Sequence, residues 1–238
     1  MQCLILAGGL GTRMQPITET IPKVLIPVKG EPFLNHQLRW LAGHGVSEVV
    51  LSLGHMGELV EAHVKATPGF GIPVRFVHEG SALRGTAGAL RLASDLGVLA
   101  EDFLVTYGDS YLPIDFGWVA DAFRKSGRAG LMTVFKNGGQ WDSSNVVFDA
   151  EAQMITLYDK WHRLRPAGEF AYIDYGLSAL KRETVTREIA PDRKSDLAEL
   201  FHALSLRGEL AGLAAAQRFF EIGTPAGLSE LEGYLSSS

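Results

Sequence analysis

The sequence predicts an α/β protein, a mixed, mostly parallel sheet flanked by helices. Three observations point there. Short β-rich runs carry nearly continuous apolar residues, as strands covered on both faces do. Helix-length segments with apolar residues three and four apart separate these runs. A bare turn, AGGLGTR, follows the first run at once, at the kind of strand end where α/β sheets bind ligands.

In chain order, QCLILAG (2–8) is the first strand, and EPFLNHQLRWLAGHGV is a helix on which Leu34, Leu38 and Leu41 form one stripe, with Gly43 and Gly45 as its stop. EVVLSLG (48–54), VRFVHE (74–79), FLVTYGD (103–109) and GLMTVFK (130–136) are further strands. GELVEAHVKA, TAGALRLASDLG and DFGWVADAFRKSG are the helices among them, with Thr86 and Asp115 placed as caps. Strand, helix, strand at this rhythm implies parallel pairing with helices on both faces.

From 137 the rhythm changes. NGGQWDSS is a polar, glycine-rich loop, NVVFDAEAQMITLYDK a hairpin turning at 149–152, and FAYIDYGLSAL another strand. SDLAELFHALSLRG is the one clear helix there, with Ser195 as its cap; LAGLAAAQRFFEIG and PAGLSELEGYL follow, and Ser236 to Ser238 are expected to fray. No linker or low-complexity stretch parts the halves. One domain over 1–238 is therefore expected, with lobes of about 1–136 and 137–238 sharing the sheet.

A net charge of −5 argues against nucleic acid as a partner, although a local cluster of cations can still hold a small polyanion. Cys3, the only cysteine, lies in an apolar run and reads as a core thiol. The N-terminus lacks a basic leader, and no segment approaches the roughly 18 apolar residues of a membrane span. A cytoplasmic protein, with no membrane partner, is expected.

The glycines of the opening turn let backbone N–H groups approach an anion, and Arg13 adds a planar cation suited to phosphate. A Walker A loop would need a lysine directly after the glycines. The dinucleotide GxGxxG does not match the spacing of Gly8, Gly9 and Gly11, and Pro16 does not suit an immediate long helix.

GGLGTRMQPITETIPKVLIPVKGEP (8–32) closely resembles the signature of the sugar-1-phosphate nucleotidyltransferases: a GGxGTRxxPxT loop, then PK, then PxxGxP. Further matches run to Gly223. The resemblance implies a Rossmann-like fold of the nucleotide-diphospho-sugar transferase type. It also implies a reaction joining a sugar 1-phosphate to the α-phosphorus of an NTP and expelling pyrophosphate, in nucleotide-sugar biosynthesis of the sort that supplies cell-surface polysaccharide. Such chemistry needs in-line positioning and charge neutralisation more than covalent help.

The resemblance assigns roles residue by residue. Arg13, Lys23 and Asp109 are the catalytic set, with Arg13 and the glycine loop on the β- and γ-phosphates and Lys23 on the α-phosphate. Leu6, Ala7, Gly8, Gly9, Gly11 and Thr12 bind nucleotide, joined by Glu79, Gly85, Thr86 and Ala87 from HEGSALRGTAGAL. Asp109, in GD, and Glu221, in FFEIGTP where the family usually has aspartate, hold Mg²⁺, a hard cation suited to carboxylates and substrate phosphates. Asn145, Lys160 and Asp174, Tyr175 and Gly176 (where the family commonly has NAG) serve the sugar phosphate. Trp161 replaces the usual proline, and Trp141 and Tyr175 stand where a ring could stack, core packing being the default for such aromatics.

The short chain and LRGTAGAL look most like bacterial heptose- or mannose-1-phosphate guanylyltransferases, which favours GTP. Uridylyl transfer to an amino-sugar 1-phosphate, and thymidylyl or cytidylyl transfer, remain alternatives. In a different class stands a catalytically inactive nucleotide-sugar sensor, which loss of Arg13, Lys23 or Asp109 would mark. The chain is expected to be a monomer or homodimer.

Overall fold

The computed structural model describes residues 1–80, 84–141, 143–164 and 170–237. The first half runs β1 (Gln2–Leu6), β2 (Pro27–Val28), β3 (Glu31–Pro32), α1 (Phe33–Gly43), β4 (Glu48–Leu53), α2 (Gly57–Ala66), β5 (Val74–His78), α3 (Gly85–Asp95), β6 (Asp102–Tyr107), β7 (Ser110–Tyr111), α4 (Phe116–Ser126) and β8 (Gly130–Lys136). Then follow β9 (Val146–Asp149), β10 (Met154–Tyr158), β11 (Tyr172–Lys181), α5 (Arg182–Glu188), α6 (Leu197–Leu206), β12 (Leu210–Ala214), β13 (Phe220–Glu221) and α7 (Pro225–Ser237).

Among the described residues nine strands form one sheet in the order β5-β4-β1-β6-β11-β8-β12-β10-β9. The pairs β5–β4, β4–β1, β1–β6 and β8–β12 are parallel; β11 is antiparallel to both neighbours, as is β10. The expected mixed sheet is thus present, but β8 does not follow β6 directly. Strand β11, from the second half, is inserted between them. In register, Leu6 stands opposite Ser52 on one side and Tyr107 on the other, so three parallel strands end level and their loops share one edge.

Both faces are covered. Helices α1, α2 and α4 set Leu34, Leu38, Leu41, Val60, Val119 and Phe123 on one face; α3, α5 and α6 set Leu90, Val185, Phe201 and Leu204 on the other. Cys3 is buried in the first core. A third apolar cluster joins Met14, Ile26, Val28 and Phe33 to Tyr111, Phe220, Ile222 and Leu231. It fastens the segment after β1 beneath β7, β13 and α7.

Several expectations need correction. Asp115 caps α4 as read, accepting from the Trp118 N–H at 2.9 Å. At α6, however, Asp196 and not Ser195 is the cap, accepting from the Ala198 N–H at 2.9 Å. Thr86 does not cap α3, whose side-chain cap bond is absent; its hydroxyl accepts from the Leu197 N–H at 2.8 Å and so helps start α6 instead. Helix α5 was hidden because RETVTRE is short, polar and β-branched, burying only Thr184 and Val185. Ser236 and Ser237 do not fray: α7 runs through both, and their hydroxyls donate to Glu232 and Gly233 carbonyls. Residues 81–83 of HEGSALRG, Asp142 of the polar loop and Ser238 lie outside the described residues.

Candidate functional site

Two cavities adjoin at the carboxyl edge of β1, β4 and β6. One, of about 430 Å³, is walled by the glycine loop, Glu79 and the start of α3. The other, of about 700 Å³, is walled by β11, the loops around Asn145 and Lys160, and the segment from Arg218 to Glu230. Thr86, Tyr107 and Asp109 line both and form the seam between them.

The first cavity is shaped by backbone. Leu6, Ala7, Gly8, Gly9, Gly11 and Thr12 all line it. A Cβ on Gly8 would come 2.5 Å from Glu79 Oε1 and 3.2 Å from the Gly54 nitrogen, so the loop lies directly on both. Gly11 takes φ +64°, a left-handed conformation that glycine adopts without penalty, and the Thr18 hydroxyl donates to its carbonyl at 2.9 Å. Gly9, Leu10 and Gly11 donate no backbone hydrogen bond to the described residues, which leaves their N–H groups for an anion. Glu79 is 8 % exposed and accepts from the Ser52 hydroxyl at 3.0 Å. Burial raises its carboxyl above the usual range, with Ser52 and Arg84 opposing.

Gly85 takes φ +71°, and a Cβ there would strike the Ser195 carbonyl, so both the backbone conformation and the close approach call for glycine. The Ala87 N–H donates to that carbonyl at 3.0 Å, and its side chain is buried in the core. Ala87 is not among the residues lining the cavity, whereas Gly85, Thr86 and Ala89 are. Lys194 also reaches it.

At the seam Lys23 Nζ donates to Asp109 Oδ2 at 2.5 Å, with both side chains mostly buried. A Cβ on Gly223 would lie 3.2 Å from Arg13 Nη2 and 3.4 Å from Lys23 Nζ. Two cations thus converge over one bare glycine, beside one carboxylate. Glu221 pairs with Ser110 across β13 and β7, and the Ile222 N–H donates to the Asp109 carbonyl at 2.9 Å. Asp109, in the turn just before β7, and Glu221, on β13, therefore stand side by side at one cavity wall. Two carboxylates at one wall beside two cations have the oxygen donors that a hard cation such as Mg²⁺ takes, leaving its other positions to waters or phosphate oxygens. Among the described residues no group of three or more His, Cys, Asp or Glu could hold a metal.

The second cavity is shaped by side chains. The Asn145 Oδ1 accepts from the Asp174 N–H at 3.1 Å, which orients the amide. Lys160 Nζ donates to Asp196 Oδ2 at 2.8 Å. Next to it, the buried Asp159 accepts from the Trp161 and Leu164 N–H groups, so it holds the loop and leaves Lys160 to the cavity. Gly176 takes φ +95° where the β8–β11 register shifts, and its N–H donates to Asp174 Oδ1 at 2.9 Å. Burial raises the Asp174 carboxyl to about 6, against the pull of that N–H and of Lys160. Tyr175 is 1 % exposed with its ring edge-on to Phe219, so it forms the wall and the core reading holds for it. Trp161 is exposed at 38 % and stacks against the Arg163 guanidinium. Trp141 carries the Arg218 guanidinium 3.5 Å above its ring, and Arg218 also pairs with Glu230.

Two residues were missed. Asp196 takes Thr86 on Oδ1 at 3.2 Å and Lys160 on Oδ2, tying the two cavities together. Burial opposes its charge, but Lys160, the Ala198 N–H and Thr86 outweigh it and hold the carboxyl low. Its signal was the SDL cap, which fits either residue. Tyr107 stands at the seam, where burial and then Asp174, Asp196, Asp109 and Glu221 push its phenol well above its ordinary value. It thus stays a neutral donor. Its signal was its place just before Gly108-Asp109.

The model of the nucleotidyl transferase family matches residues 2–191. A mannose-1-phosphate guanylyltransferase catalytic subunit beta from Xenopus tropicalis is 29 % identical over 228 residues, covering 94 % of this chain and 62 % of the relative. The chain spans less than two thirds of the length of that relative. HddC from Yersinia pseudotuberculosis, in a complex with GMP-PN, is 23 % identical with a TM-score of 0.74, covering 98 % of this chain and 99 % of the other. A UDP-glucose pyrophosphorylase in complex with UDP-glucose is 16 % identical with a TM-score of 0.80, covering 99 % and 98 %. Among the described residues no helix is long and apolar enough to cross a membrane.

Proposed function

The chain belongs to the nucleotidyl transferase family, and from that premise we propose that it transfers a nucleotidyl group from an NTP to a sugar 1-phosphate, releasing pyrophosphate. The observation that carries this reading is the seam: Lys23 and Arg13 converging over Gly223, with Asp109 against Lys23. A phosphoryl-transfer centre needs such convergence, and a merely structural ion pair would not bring a second cation.

A phosphate oxygen of the sugar 1-phosphate attacks the α-phosphorus, and the bond to the bridging oxygen of pyrophosphate breaks. The N–H groups of Gly9 to Gly11 hold the departing phosphates with Arg13. Lys23 stabilises charge developing on the α-phosphate. Asp109 and Glu221 would hold Mg²⁺, which would supply further neutralisation of phosphate charge. Lys160 meets the sugar phosphate, and Asn145 and Asp174 meet the sugar.

The base and sugar we favour are guanine and a mannose- or heptose-type ring. Support comes from the guanylyltransferase relative and from the fold shared with HddC. The fold shared with a UDP-glucose pyrophosphorylase keeps uridylyl transfer as the second reading. The test is pyrophosphate release with Mg²⁺, crossing GTP, UTP, CTP, dTTP and ATP with mannose, glucose, N-acetylglucosamine and heptose 1-phosphates. Release with GTP and a mannose- or heptose-type phosphate is expected. Release from no pair would overturn the reaction.

A further inference from the structure

The segment leading into α6 belongs to both cavities: Lys194 lines the first and Asp196 the second. Main chain pins it to the start of α3. The Ser195 N–H donates to the Arg84 carbonyl and the Ala87 N–H to the Ser195 carbonyl, each at 3.0 Å. A Cβ on Gly88 would lie 3.0 Å from the Arg193 carbonyl oxygen, so the two backbones lie directly together. The Leu197 N–H donates to the Thr86 hydroxyl at 2.8 Å, and that hydroxyl donates to Asp196 Oδ1 at 3.2 Å. Oδ1 also takes the Ala198 N–H at 2.9 Å. The backbone around Asp196 and one of its oxygens are thus fixed to the wall of the first cavity.

The other oxygen serves the second cavity. Oδ2 takes Lys160 Nζ at 2.8 Å, the one hydrogen bond that this side chain makes to any described residue. Lys160 stands on the loop after β10 with its side chain 46 % exposed, on a four-carbon stem that is flexible when left free. An ion pair at such exposure holds little by itself. This one holds the ammonium in place because its acceptor is anchored at the far oxygen. An ammonium has three donors, so two remain for a phosphate.

We propose that Asp196 is a positioning residue for the transfer step: it fixes Lys160 relative to the start of α3, so that the attacking phosphate oxygen meets the α-phosphorus in line. The inference rests on the reading of the two cavities as nucleotide and sugar sites, and adds what keeps them in register. Holding the sugar phosphate needs the charge of Lys160, which is present wherever the stem points. Transfer needs its place as well. Loss of Asp196 therefore falls on turnover and spares both affinities.

The test is Asp196→Asn, assayed by pyrophosphate release with Mg²⁺ and the productive pair among GTP or UTP and mannose, glucose or heptose 1-phosphate. Asparagine keeps one acceptor oxygen and sets a donor in place of the other. It can serve Thr86 and the Ala198 N–H or it can serve Lys160, but not both, and it remains a good helix cap. Its kcat should fall about tenfold to a hundredfold, as misplacement by an ångström does, with little change in either KM. In a Lys160→Met background the same substitution should cost little more, because the cation it positions is gone. A defect of the cap or of the fold would multiply with Lys160→Met instead. Full kcat in Asp196→Asn, a loss confined to KM, or a loss that multiplies with Lys160→Met would overturn this inference alone. No release by the wild type from any pair would overturn the reaction and the inference together.

Discussion

The two cavities are built in opposite ways. The cavity proposed for the nucleotide is main chain: a glycine loop pressed onto Glu79 and Gly54, with N–H groups that donate to no described residue. The cavity proposed for the sugar is side chain: Asn145, Lys160, Asp174 and Asp196, brought from four separate segments. Main chain is the same in every protein, so it can serve a group common to every substrate, the polyphosphate. Side chains differ, so they can serve what varies, the sugar. The seam between them belongs to neither kind, and there the charges converge.

That contrast can be broken or sharpened by substitution, beginning at the seam. Asp109→Ala and Lys23→Ala should each lower turnover about a hundredfold or more, the scale of one preorganised electrostatic contact. Because the two side chains are in contact, their effects should not multiply in the double variant. Full turnover in either single variant would remove the seam from the mechanism.

Next comes Gly8→Ala. Its methyl would press on Glu79 Oε1 and lift the loop. The NTP KM should rise about tenfold to a hundredfold, as misplacement by an ångström does, while the sugar KM stays put. A rise in both would show that the two sides are not separable. Lys160→Met should do the reverse, raising the sugar 1-phosphate KM about tenfold for one lost charged contact and leaving the NTP KM alone. The smallest effect is expected at Glu221→Gln, which should shift the Mg²⁺ titration to higher concentration with little change in saturated rate. An unchanged titration would take Glu221 out of the metal site.

The same contrast explains what could be read from the chain. Gly8, Gly9, Gly11, Arg13 and Lys23 sit within sixteen residues, and a main-chain site must be written locally because its atoms come from one turn. The strands and most helices were legible for the same reason, since periodicity is local. Asp196 was not, because its meaning lies in Thr86 and Lys160, 110 and 36 residues away. GTAG looks uniform in sequence, and only the structure shows the Ala87 N–H turned towards Ser195, more than a hundred residues away. Helix α5 escaped because seven residues carry too few turns to show a stripe.

The insertion of β11 has a kinetic consequence. Strand β6 completes its hydrogen bonding only when residues 177–181 reach it, after more than seventy further residues have been made. Until then its edge is a row of unpaired N–H and C=O groups along an apolar strand, open to pairing with another chain. Pairings so distant in sequence close large loops and form slowly. Residues 1–136 made alone would keep that edge exposed and should associate through it, and a separate 172–181 peptide should suppress the association by taking the vacant place.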